Sequence, residues 1–125
     1  MHLFLLASLG GALGAGARYL VNVAALRALG PAFPWATLTV NVAGSAAMGF
    51  LLGLIALRFD GSVEWRTFLL TGILGGFTTF SAFSMDAAQL WDRGASQLAL
   101  LYVIGSVVLS IAAFYAGALV ARQVL

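Results

Sequence analysis

The chain has no cysteine and no lysine, a single histidine, two prolines and four acidic residues. Each shortage removes a class of function. Without cysteine there are no disulfides, no thiolate zinc sites and no thiol nucleophile. The lone His2 stands at the start, and Asp60, Glu64, Asp86 and Asp92 lie near expected loops rather than converging. No paired carboxylates, metal-ligand spacing or nucleophile–base set can be assembled, so the chain is not expected to be an enzyme. The basic residues Arg18, Arg27, Arg58, Arg66, Arg93 and Arg122 are scattered singly. Nucleic acid needs clustered Lys/Arg on one face, and none is present.

What is abundant is apolar. Of 125 residues, 62% are hydrophobic and 8% charged, against about 45–50% and 25% in an average soluble domain. A chain this short has too much surface for its volume to hide that excess from water. Lipid accepts it, and enough apolar surface is present to exclude disorder. Charge-free stretches run from Met1 to Ala17 (apart from His2), Ala28 to Leu57, Thr67 to Met85 and Gly94 to Ala121. A spanning helix needs about 20 mostly apolar residues. The expected fold is therefore an all-α membrane protein, a single transmembrane domain over 1–125 with helices at roughly 3–26, 36–57, 66–91 and 97–121. The first run lacks a basic leader and a clear cleavage site, so it is expected to be a retained helix. Turn residues Gly30-Pro31-Ala32-Phe33-Pro34, Asp60-Gly61-Ser62 and Asp92-Arg93-Gly94 separate the helices. Trp35, Trp65 and Trp91 fall at the expected boundaries, where interfacial aromatics belong.

Orientation is poorly specified. With four spans, Arg58, Arg66 and Arg122 share one side, and Arg18, Arg27 and Arg93 share the other. The positive-inside rule reads Lys/Arg asymmetry, and here there is none. Either one strong local signal sets the orientation, or the chain inserts both ways and pairs as an antiparallel homodimer.

Polar residues inside the spans form stripes. Thr37, Asn41 and Ser45 recur at i, i+4, i+8 in the second helix, and Tyr102, Ser106 and Ser110 do so in the fourth. They read either as interhelical glue, each bond contributing about 0.6 kcal/mol, or as a polar track. Gly10 with Gly14 and Gly49 with Gly53 are GxxxG pairs that permit close helix contact. In the third helix, Gly75-Gly76 followed by Thr78-Thr79 is a poor helix former. A helix broken in mid-membrane is the expectation there, with freed carbonyls needing protein or an ion to satisfy them. Phe80 and Phe83 follow at i, i+3 on one face beside Ser81.

These segments resemble the Fluc/CrcB fluoride channel family. The resemblance is carried by Gly75-Gly76-Phe77-Thr78-Thr79-Phe80-Ser81-Ala82-Phe83-Ser84, Gly11-Ala12-Leu13-Gly14-Ala15-Gly16-Ala17-Arg18-Tyr19 and Thr37-Leu38-Thr39-Val40-Asn41-Val42-Ala43-Gly44-Ser45. It covers the whole chain, including its length and motif order. It implies a fluoride-selective channel of the inner membrane, a dual-topology antiparallel homodimer with two pores that exports fluoride passively. It also implies that Phe80 and Phe83 line the pores, that Asn41 is the second-helix pore asparagine, and that Tyr102, Ser106 and Ser110 form a polar track. Ser81 and Thr37 join the expected fluoride pathway, and Arg18 matches the family's first-helix arginine. By the same resemblance the carbonyls of Gly75 and Thr78, from both subunits, hold a structural sodium ion at the dimer centre. Ala82 departs from the family's usual threonine, so no ligand role is assigned to it.

Fluoride is small and strongly hydrated, so a dry path must replace its water with donors such as amides and hydroxyls and with the positive edges of aromatic rings. Two other readings compete. A small proton-coupled multidrug-type exporter needs a membrane-embedded carboxylate, and the first helix has none while Asp86 lies near the end of the third. A membrane scaffold accounts for the glycines but not for a broken helix beside two polar stripes.

Overall fold

A computed structural model describes residues 1–57 and 62–124, and these are all-helical. The order is α1 (His2–Leu29), α2 (Trp35–Leu57), α3 (Val63–Arg66), a π-helical segment (Thr67–Leu74), α4 (Gly75–Phe77), α5 (Phe80–Asp92) and α6 (Ser96–Val124). Among the described residues, four helical stretches are long and apolar enough to cross a membrane: His2–Leu29, Trp35–Ala56, Val63–Asp92 and Ser96–Val124. They extend past the expected ends most clearly at Leu29, Val63 and Val124. At Leu29 and Val124 the reason is electrostatic. Arg27 and Arg122 sit in the last turns of α1 and α6, where a cation complements the helix dipole instead of ending the helix. Arg58 and Asp60, with most of the expected Asp60-Gly61-Ser62 turn, lie outside the described residues. At its edge the Ser62 hydroxyl accepts the Trp65 N–H at 3.3 Å and caps α3.

Packing divides the chain into two seams. α1 lies along the π-helical segment and α4, while α2 lies along α6, which also takes α5. Both seams are built on small residues. Gly10 and Gly14 face the backbone of Phe68, Gly72, Ile73 and Phe77, and Gly49 and Gly53 face Phe114, Ala118 and Ala121. Few large side chains are fully enclosed, chiefly Val40 and Tyr102. Leu5, Leu9, Leu13, Ile104, Val108 and Ile111 point outward. Apolar residues on every face are what a helix immersed in hydrocarbon presents.

The third span differs from expectation in two ways. Its break does not fall on the glycine pair, since Gly75 has helical dihedrals (φ −62°, ψ −38°). The chain leaves helical geometry at Thr78 (φ −85°, ψ 158°) and Thr79 (φ −155°, ψ 124°). Gly76 is needed instead for packing, because it abuts the backbone of Gly11. The β-branched threonines tolerate the extended conformation. Ahead of the break, the Gly75 N–H donates to the Leu70 carbonyl five residues back, closing a wide turn that the sequence did not announce.

Steric demand at the first seam can be measured. A Cβ added at Gly14 would overlap the Ile73 carbonyl, whereas one at Gly16 would meet nothing within 4 Å. Gly14→Ala is expected to destabilise the fold by about 1–3 kcal/mol, and Gly16→Ala to change it by less than about 0.5 kcal/mol. Unfolding of both variants in detergent, followed by circular dichroism, checks the contrast.

Candidate functional site

The site is organised around the two non-helical residues. Asn41 reaches across from α2 and brackets Thr79: its Nδ2 donates to the Thr79 carbonyl at 3.0 Å, and the Thr79 N–H donates to its Oδ1 at 2.8 Å. Gly44, nearly one turn further along α2, has no side chain to hold the break away, since a Cβ there would overlap Thr78 Cγ2. From the other seam, Arg18 Nε donates to the Gly76 carbonyl at 3.1 Å. Within the break, the Thr78 N–H and hydroxyl both donate to the Leu74 carbonyl at 3.0 Å. The Thr79 hydroxyl caps α5 by accepting the Ala82 N–H at 3.1 Å.

These bonds redirect the backbone. In an unbroken helix the Thr79 N–H would serve the Gly75 carbonyl and the Ala82 N–H the Thr78 carbonyl. Here they serve Asn41 Oδ1 and Thr79 Oγ1. The carbonyls of Gly75 and Thr78 thus have no hydrogen-bond donor among the described residues. Oxygen acceptors left over in this way suit a hard cation such as sodium, which takes carbonyl ligands. The groups present fit such an ion.

Beside the break lies an open groove of about 320 Å³ whose lining includes Asn41, Ser45, Phe80, Phe83, Ser106 and Ser110. Among the described residues, no charged side chain lines it. Asn41 uses one Nδ2 hydrogen on Thr79, and an amide carries two. Ser106 is 4% exposed, and its hydroxyl is buried without a partner among the described residues. A lone hydroxyl in that state carries a desolvation cost of about 1–3 kcal/mol unless something occupies it. The two phenylalanines stand differently. Phe83 is 9% exposed and Phe80 77%, with ring centroids 5.5 Å apart. Stacking continues inward from Phe83 to Tyr102 at 5.2 Å and edge-on to Phe33 at 5.5 Å.

The other expected residues lie off the groove. Tyr102 is 1% exposed, and its hydroxyl donates to Asp86 Oδ2 at 3.1 Å. Ser81 is exposed, its hydroxyl 3.3 Å from that of Thr79. Thr37 and Asp86 line two further cavities, of about 160 and 250 Å³, the first with Arg93 and the second with Arg18. Sequence reasoning weighed Asp86 only as an acid near the end of the third helix; it is half-buried within α5 and bonded to α6. The only signal was a lone acid between Phe83 and Leu90. It also missed Phe114 and Met48, which wall the groove on helix faces otherwise turned to lipid or packing.

A family model described as "CrcB-like protein, Camphor Resistance (CrcB)" matches residues 5–118. Among curated proteins, the chain is 57% identical to the fluoride-specific ion channel FluC of Chelativorans sp. (strain BNC1), over 100% of both chains. It is 58% identical to that of Paracoccus denitrificans (strain Pd 1222), over 97% of this chain and 95% of the other. The FluC of Agrobacterium fabrum (strain C58 / ATCC 33970) is 52% identical over 94% of each. The identity runs from end to end, and four stretches of the chain can each cross a bilayer. This is a multi-pass membrane protein that belongs to the CrcB-like family.

Proposed function

We propose that the protein is a fluoride-selective channel, a passive exporter that lowers cytoplasmic fluoride across the inner membrane. The observation that carries this reading is the groove: among the described residues it is uncharged, bounded by Phe80, Phe83 and Phe114, and holds a buried Ser106 hydroxyl with no partner. A dehydrated fluoride needs short-range donors, and Asn41, Ser106 and Ser110 supply them. Phe80 and Phe83 add positive ring edges while excluding bulk water. Thr37, Ser81 and Tyr102 extend the pathway beyond this stretch. Several moderate sites let an ion leave as well as enter. The FluC names of the relatives agree with this reading.

The functional unit is an antiparallel homodimer with two pores. Phe80, almost bare in one chain, then gains a second wall, and the even distribution of arginines favours insertion both ways. At the dimer centre, with the broken helix in mid-membrane, the Gly75 and Thr78 carbonyls of both copies would hold a structural sodium ion. Bound there, it supplies positive potential beside an anion path. A proton-coupled multidrug-type exporter would need a carboxylate in its substrate cavity. Asp86 lies outside the groove and is bonded to Tyr102.

The decisive measurement is initial fluoride efflux from liposomes carrying the purified protein, with chloride as control and without a proton gradient. Absence of fluoride flux overturns the reading. Because Phe80 is 77% exposed, Phe80→Leu should barely affect the stability of a single chain. Its flux is nevertheless expected to fall by about tenfold or more, equivalent to ~1.4 kcal/mol on the barrier. Phe83→Leu should lower flux similarly, and also cost about 1 kcal/mol of stability because Phe83 is buried. Wild-type flux in both folded variants would remove the phenylalanines from the path.

Topology has its own test. A C-terminal reporter is expected on both sides of the membrane, and two arginines added beside Arg122 are expected to bias it to the cytoplasmic side. A reporter confined to one side in the unaltered protein would exclude dual topology.

A further inference from the structure

We infer that Asn41 is the residue that creates the cation site: by capturing the Thr79 N–H it strips the Gly75 carbonyl of its helical donor, so the anion path and the cation site hang on one side chain. This rests on the channel reading only in taking the Gly75 and Thr78 carbonyls as the cation's ligands. The geometry is specific. Asn41 Oδ1 lies 2.8 Å from the Thr79 nitrogen, and the same amide donates to the Thr79 carbonyl at 3.0 Å. Both backbone groups of one residue are thus held by a helix 38 positions earlier in sequence. Thr79 itself then caps α5 through its hydroxyl, which withdraws the Ala82 N–H from the Thr78 carbonyl.

The order of dependence follows. With a side chain unable to accept a hydrogen bond at position 41, the Thr79 N–H has no buried partner except the Gly75 carbonyl. An unpaired N–H in an apolar setting is costly, so the helix closes across the break and the Gly75 carbonyl is consumed. Asn41 is therefore a positioning residue for the cation site, in addition to lining the groove. It also sets where α5 begins, and hence where Phe80 starts its turn.

The test separates this role from general stability. The full chain is purified in detergent in N-methylglucamine chloride, and its Tm is measured with and without added NaCl. An ion that binds only the folded state raises Tm, and the wild type is expected to show that rise. Asn41→Ala is expected to lose the sodium-dependent rise, whatever its Tm without sodium. Asn41→Asp keeps an acceptor for the Thr79 N–H and is expected to retain the rise. Phe80→Leu, which impairs flux, is expected to retain it in full. A folded Asn41→Ala protein with the wild-type rise overturns the inference, and so does loss of the rise in Asn41→Asp. Where Asn41→Ala does not fold, Asn41→Leu takes its place, and the Asn41→Asp result alone can still overturn the inference. A wild type without any sodium response also overturns it, whereas wild-type fluoride efflux, measured separately, decides the channel reading.

Discussion

Two hydrogen bonds between the Asn41 side chain and the Thr79 backbone hold the rest of the site in being. A helix cannot be interrupted among apolar neighbours at no cost, because there is no water to take over the abandoned N–H and C=O groups. This chain meets the demand with side chains from two other helices. Asn41 on α2 serves Thr79, and Arg18 on α1 serves Gly76. The interruption then belongs to three helices at once, and moving any of them disturbs it. The small residues of the seams have the same purpose at the level of packing, since Gly44 and Gly76 bring those backbones within reach.

The sequence was most legible where a single residue type decides the outcome. Scattered charges and long apolar runs were enough to delimit four helices, because a charge in a short apolar run is a strong signal by itself. The Gly10–Gly14 and Gly49–Gly53 pairs likewise announced the seams they build. The break was legible only to the nearest turn. Gly75 and Gly76 are poor helix formers, yet both stay helical, Gly76 with the α1 backbone at Gly11 packed against it, and the extended residues are the threonines beyond. Propensity lost to packing, as it commonly does.

Pairings across helices were not legible. Asn41 with Thr79 and Tyr102 with Asp86 are bonds between separate helices, and periodicity says which face a residue occupies but not what stands opposite. The phenylalanines show the same limit. Their spacing assigned Phe80 and Phe83 to one face, but Phe83 lies beneath Tyr102 while Phe80 stands nearly uncovered.

The eight-residue π-helical segment from Thr67 to Leu74 sets the angular phase of everything after it. A wide turn advances less than the 100° per residue of an α-helix, so the segment acts as a rotational spacer between the capped start at Ser62 and the break. Its setting turns Gly72 and Gly76 together onto the glycines of α1. Adding one residue between Thr67 and Leu74 without a further wide turn would swing the glycine face away from α1. Length changes that an ordinary lipid-facing helix would absorb are therefore excluded here: in this stretch the chain counts residues by angle rather than by distance.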